Sequence, residues 1–362
     1  MNTNTNMSAN MSSETMTTER ELSSWNAVAE WYHSYFTGIV LFAVSRLGAA
    51  KAEELVYEIF CHQRREKFLP GLKKLGLDTL PPAVAAAQYH YLSNHIGGVS
   101  VEYMYESERK AWIRYSAPRW IWSGTALCGI PPEVSRAMLA GWHAQNGRML
   151  NNPNLGFVCT KQTVDGQSGL EGYYFEYDHP LAPDERLRFA RHEDAPDFDA
   201  AAAPQLPTTT WPATRLAKAH RNYAMEYVRS AFPVAMQLWG PDSAGHFLQM
   251  AGRLIGMQFY HQTAKSLGGT YERGAEGFAH FMRDLGQAQG DSVQVQRDGE
   301  GFLVQQTGWT FFEGLGASHP QLETAWNGLL EGALQAHNHR LQMRFAHSMA
   351  DGKHALEWHV KD

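Results

Sequence analysis

The chain lacks most of the features that would narrow its function at sight. Only 19% of its 362 residues are charged and the formal balance is −6, so the basic surface that phosphate binding needs is missing and no nucleic-acid partner is expected. The one locally basic run, HQRREKFLPGLKK at 62–74, reads as a solvated helix face. Three cysteines, Cys61, Cys128 and Cys159, are an odd count without a CxxC, which suits a reducing cytoplasm better than a secreted disulfide framework. The longest apolar run near the start, FTGIVLFAV at 36–44, has nine residues where a membrane span needs about twenty. A soluble, cytoplasmic protein with no membrane partner is therefore expected. Residues 1–19, MNTNTNMSANMSSETMTTE, have neither a basic start nor an apolar stretch and read as a disordered tail rather than a signal peptide. There is no GxSxG elbow, Walker loop, HExxH or glycine-rich dinucleotide fingerprint, so nucleotide binding is not expected.

What is present is a globular composition, 44% apolar and 12% aromatic, in a chain long enough for two domains of about 150 residues. The two are copies of each other. At an offset of 192, Leu47-Gly48 falls on Trp239-Gly240, Lys73 on Lys265, Leu75-Gly76 on Leu267-Gly268, and AQNGRM at 144–149 on AHNHRL at 336–341. After a six-residue deletion the offset becomes 186, and DGQSGLEG at 165–172 falls on DGKHALEW at 351–358. Several matches at one offset, followed by one loop-sized indel, mark a tandem duplication. The expected organisation is a tail over 1–19, copy 1 over 20–180, a Pro/Ala/Asp-rich linker over 181–213 and copy 2 over 214–362.

Within a copy, AKAEELVYEIFCHQRREKF (50–68) and SAGHFLQMAGRLIGMQFYHQTAK (243–265) have the apolar spacing of amphipathic helices. VSVEYMY–ESER–KAWIRY and SVQVQ–DGEG–FLVQQ alternate as hairpins. Another helix follows, and then a second hairpin turning at the repeated Asp-Gly. Each copy is thus expected to be an α+β unit, helix–hairpin–helix–hairpin, with an antiparallel sheet covered by helices. Two such units suit a pseudo-twofold arrangement, which is also compatible with a further homodimer.

The long helix ending in Leu-Gly, the two hairpins and the terminal Leu356-Glu357-Trp358 resemble the four-vinyl-reductase-like domain. More closely, they resemble the L-2-amino-thiazoline-4-carboxylic acid hydrolase family. Leu170 and Leu356 stand where that family is expected to carry a cysteine, which argues against cysteine-based hydrolysis. The wider fold is similar to haem-nitric-oxide/oxygen-binding domains, in which a helical histidine ligates haem beside an apolar pocket. The resemblance implies a small-molecule or cofactor pocket between helices and sheet.

Candidate site residues come from comparing the copies. Polar groups on an apolar stripe in one copy alone are informative, because burying them is costly without a partner. In copy 2 the stripe Phe247, Ala251, Leu254, Gln258 leads to His261, whose counterpart is Leu69. Likewise Trp326, Leu330, Ala333 leads to His337, whose counterpart is Gln145. Each reads either as a hydrogen-bonded core histidine or as a cofactor or proton-transfer group. In copy 1 the hairpin is expected to place Val101, Tyr103, Trp112 and Arg114 on one face, with Gln306 as the counterpart of Arg114. The helix over 80–95 is expected to align Val84, Gln88, Tyr91 and His95, His95 serving either as a site residue or as a cap on the helix dipole.

The leading functional expectation is haem-dependent oxidation, of oxygenase or peroxygenase type, of a small apolar or aromatic molecule. His261 would be the axial ligand of haem b and His337 the second choice, with Arg114, Trp309, Glu313 and His95 around the pocket. Electrons would come from a donor protein or from peroxide. A cofactor-free hydrolase using Glu171 and Glu357, and a non-catalytic small-ligand-binding protein, are the two alternatives.

Overall fold

A computed structural model describes residues 4–313, 319–347 and 355–362, with side chains described from Glu19. Glycines mark the element boundaries. Gly48 (φ 87°) separates helix α1 (Asn4–Leu47) from α2 (Ala49–Leu75), and the later copy of the same residue, Gly240 (φ 78°), separates α6 (Ala213–Trp239) from α7 (Pro241–Ser266). Gly76 (φ 70°) and Gly268 (φ 73°) then follow the ends of α2 and α7 in the left-handed conformation that other residues resist. Helix α1 takes in most of the stretch expected to be a tail.

The two copies share one plan. In the first, α3 (Pro82–Ile96) leads to the hairpin β1 (Val101–Ser107) and β2 (Lys110–Ser116). Helices α4 (Pro132–Gly141) and α5 (Asn146–Met149) follow, then β3 (Leu155–Lys161) and β4 (Gly169–Glu176). In the second, α8 (Ala275–Gln289) precedes β6 (Ser292–Asp298) and β7 (Gly301–Thr307), a continuous α9 (Pro320–Asn338), and β8 (Gln342–His347) and β9 (Ala355–Lys361). The strand orders β1-β2-β4-β3 and β6-β7-β9-β8 are the same, and both sheets carry helices, so the fold is α+β. Three helices rather than one precede each first hairpin. The turn at Asp351-Gly352 lies outside the described residues.

The segment expected as a linker is part of a sheet. Its strand β5 (Leu187–Phe189) pairs in parallel with β3 and extends the first sheet to five strands. The chain beyond it lays Ala190, Ala195 and Phe198 over Met104, Trp112, Val158 and Tyr173. That sheet is consequently covered on both faces, by helices and by this strap, and the first six residues of β4 are all buried. In β9 the burial alternates instead.

The chain divides into two compact units. A central unit comprises Ile39–Pro212, and a terminal unit comprises Met1–Gly38 with Ala213–Asp362. The N-terminal half of α1 therefore belongs with the second repeat. There the fully buried Tyr32 accepts a hydrogen bond from Trp326 Nε1 (3.0 Å) and stacks on Phe311, while Tyr35 donates to the Leu248 carbonyl (3.0 Å). In the same unit α7 and α9 meet through glycines: a Cβ at Gly256 would lie 2.1 Å from the Leu329 carbonyl oxygen, and one at Gly328 2.3 Å from that of Gln249. No helix among the described residues is long and apolar enough to cross a membrane.

Replacing Tyr32 by alanine removes a buried ring and the acceptor of an indole N–H, with an expected loss of about 3–5 kcal/mol. Amide hydrogen exchange should accelerate in α7 and α9 and hold in β3 and β4. Unchanged protection of α7 and α9 would show that α1 is not part of that core.

Candidate functional site

Where β2 ends, Ser116 faces Gly169 at the start of β4, and both backbones turn away from the ladder. The space left there is a cleft of about 370 Å³ in the central unit, walled by the loop after β2, by Ser135 of α4, by Thr163 and Val164, and by Leu170. Its lining is largely apolar with a few polar groups, the usual composition of a small-molecule site. Three of those groups are informative. Trp122 has φ 60°, a left-handed backbone that costs a bulky residue about 1–3 kcal/mol. Its side chain is 6% exposed, and its Nε1–H has no hydrogen-bond partner. The Thr163 hydroxyl is also buried without a partner. Arg119, half-buried, lies over the Tyr115 ring at 4.4 Å and brings positive charge to the wall.

An unpartnered indole does not by itself mark a site. Trp31 and Trp309 of the terminal unit are in the same state inside packed aromatic clusters. At Trp122 the orphaned donor, the strained backbone and an open cleft coincide. A buried donor left unmade costs about 1–3 kcal/mol, and a bound acceptor would recover part of it.

Behind Tyr115 lies a polar layer between α3, α5 and the sheet. His90 and His143 stack at 4.1 Å; Asn146 Nδ2 donates to His90 Nε2 (2.9 Å) and to the Tyr174 hydroxyl (2.9 Å), which donates to His143 Nδ1 (2.7 Å). This chain of donors makes both contacted ring nitrogens acceptors, so both imidazoles are neutral. Burial holds His90 well below the usual histidine range, with His143 adding to the effect. Burial, and then the charge of Arg119, lower His143 to about 3. Tyr174 is pushed up by burial. The layer exchanges no proton near neutral pH; it fixes the ring positions behind the cleft.

The terminal unit is built differently at the same place. Gln306, the counterpart of Tyr115 in the sheet, donates to Asp291 (2.7 Å), whose other oxygen accepts from Thr310 N–H (2.7 Å). Burial raises the Asp291 carboxyl to about 6, against the hydrogen bonds from Thr310 and the charge of Arg221. Trp309, Phe311 and Phe312 are buried beside it.

The residues expected from sequence do not gather in one site. His261 is exposed, as are Leu254 and Gln258. The inward face of α7 is the one carrying Gly252 and Gly256, because α9 needs that close approach. His337 is buried, but its Nδ1 accepts from Tyr260 and its Nε2 donates to the Gly274 carbonyl (3.2 Å). Neither histidine therefore fits axial ligation of haem. Helix α3 is buried on most sides, Val84 and Tyr91 of the expected stripe included, but His95 lies in its last turn and is exposed, whereas His90 and Asn94 are buried. Trp309 is core, and Glu313 is exposed with its carbonyl accepting from Arg229.

Arg114 shares a face with Trp112, as expected, but with Glu102 and Met104 rather than Val101 and Tyr103. It pairs with Glu102 and with the buried Glu171, so it is not available to a substrate carboxylate. A bulge between Tyr105 and Ser107 lengthens this hairpin by one residue, which makes Gln305, not Gln306, its counterpart opposite Glu357. Sequence reasoning missed His90 and His143. The copy comparison contained the signal, since at the same offset they face Met282 and Gln335.

Because His143 is neutral when folded and has an ordinary value near 6.5 when unfolded, the unfolded chain binds the extra proton below about pH 6.5. Stability should then fall as pH drops from about 6.5 toward 3, by up to about 1.4 kcal/mol per pH unit for this one group. His143→Gln is expected to flatten the dependence of melting temperature on pH between 7 and 5. Equal slopes in the two proteins would contradict the assignment.

No protein-family model, curated protein or solved structure matches the chain, so its functional reading rests on this geometry.

Proposed function

We propose that the protein binds a small, flat, largely apolar molecule carrying a hydrogen-bond-accepting oxygen, in the cleft of the central unit. The observation that carries this reading is Trp122: a bulky cleft-lining residue held in the left-handed region, whose buried indole N–H has no partner. Thr163 supplies a second unpartnered donor, its hydroxyl, and Arg119 the charge that would attract an anionic oxygen. At about 370 Å³ the cleft is near the lower end of the usual range of about 300–1,000 Å³ for ligand pockets.

Binding without turnover is the alternative the geometry favours. Haem-dependent oxidation lacks support from these residues: His261 is exposed and both ring nitrogens of His337 are engaged. For hydrolysis, the carboxylates expected to act as bases are occupied. Glu171 accepts from Thr160 (2.7 Å) and the Ala195 N–H (3.2 Å), and Glu357 accepts from Gln305.

Anilinonaphthalene sulfonate, an apolar ring system with one anionic group, is a suitable probe. One saturable site is expected on the native chain. Trp122→Phe should raise its dissociation constant about fivefold, the worth of one hydrogen bond, and Ser135→Phe should fill the cleft and abolish binding. Affinity unchanged in both variants would overturn the proposal.

A further inference from the structure

The strap that covers the outer face of the central sheet also grips the hairpin that walls the cleft. After β5, Ala190 N–H continues the pairing to the Cys159 carbonyl (3.0 Å). Arg191 then pairs with Asp165 and donates to Gln167 Oε1 (3.3 Å), both in the β3–β4 turn. Two residues on, the carbonyls of Arg191 and Glu193 are held by Lys161 Nζ (3.1 and 2.8 Å), and Tyr173 donates to Glu193 (3.1 Å). Finally the Ala195 N–H donates to Glu171. Asp165 and Glu171 are each next to or one residue from cleft-lining positions: Asp165 follows Thr163 and Val164, and Glu171 follows Leu170.

We infer that the 187–198 strap is a latch on this cleft, with Arg191 and Asp165 as positioning residues whose pairing sets how fast a ligand exchanges. The inference rests on the ligand-site reading above. The two grips differ in kind. Glu171 is 5% exposed and its contact with the strap is shielded, whereas the Arg191 side chain is 44% exposed and the Asp165 side chain 14%. The outer grip is thus open to screening by salt while the inner one is not. Ala190, Ala195 and Phe198 keep the strap packed on Trp112 and Tyr173, so loss of the Arg191 pair loosens the turn at 163–167, leaving it held by Gln162, which donates to Asp165 (3.0 Å) and Gln167 (2.8 Å), without detaching the strap. Gly166, with φ 78° at the tip of that turn, takes the left-handed conformation without the penalty a side chain would add.

The test is stopped-flow release of anilinonaphthalene sulfonate from the full chain. Arg191→Gln and Asp165→Asn are each expected to speed release about threefold at low salt, the scale of an exposed ion pair. As sodium chloride rises from about 20 to about 500 mM, release should quicken more steeply in the wild type than in the variants, which keep only the part due to screening of Arg119 from the probe's sulfonate. The charge-swapped double variant, Asp165→Arg with Arg191→Asp, should restore slow, salt-sensitive release. A purely structural role would not produce that rescue. If the probe's binding depends on Trp122 but release is the same in all these proteins, the latch is overturned alone. If binding ignores Trp122, the ligand site falls and the latch with it.

Discussion

Strand β4 is buried on both faces, and most of what distinguishes the central unit follows from that constraint. A strand covered on one side can carry polar residues on the other. One covered on both must match every polar side chain with a partner. Toward the helices, Tyr174 is matched by Asn146 and His143, and through Asn146 by His90. Toward the strap, Glu171 is matched by Thr160, Arg114 and the Ala195 N–H, and Tyr173 by Glu193. Gly172 lies between them because a Cβ there would meet the Val158 carbonyl oxygen at 2.3 Å. The cleft opens where this matching stops, at Gly169 and Leu170.

The duplication gives the comparison that makes the cleft meaningful. Both copies keep the strand order, and the shared glycines stop the same helices at the same places. What differs is the polar inventory. Glu102, Arg114 and Glu171 form a row across the first sheet where Gln294, Gln305 and Glu357 stand in the second, so three ionisable side chains under the strap correspond to one in the terminal unit. Beside that row the terminal unit packs Trp309, Phe311 and Phe312 around Tyr32 and Trp326, while the central unit leaves the cleft beside Trp122.

Much of this was legible before the structure. The repeat offset, the hairpins and the α+β class follow from apolar period and glycine position, which act locally. The site was less legible, because which face of a helix turns inward is decided by what it packs against. On α7 the apolar stripe ending at His261 competes with one carrying Gly252 and Gly256, and close packing against Gly328 and Gly332 of α9 wins. On α3, buried on most sides, apolar spacing does not single out His90, and the expected stripe ends at His95 in the exposed last turn. The strap was hidden for a related reason: its segment has no apolar period of its own and is ordered by Lys161, Tyr173 and Glu171, which belong to other strands. No local pattern announces the left-handed backbone at Trp122.

The most direct test of a ligand site in the central unit is the set of indole Nε1–H resonances in a ¹⁵N-labelled sample during addition of naphthalene sulfonate. Eleven tryptophans report at once, and the Trp122 signal is identified by its loss in Trp122→Phe. The account predicts that the Trp122 resonance moves and saturates while those of Trp309, Trp326 and Trp358 stay in place. A saturating response confined to the terminal unit's indoles, with Trp122 unmoved, would contradict it.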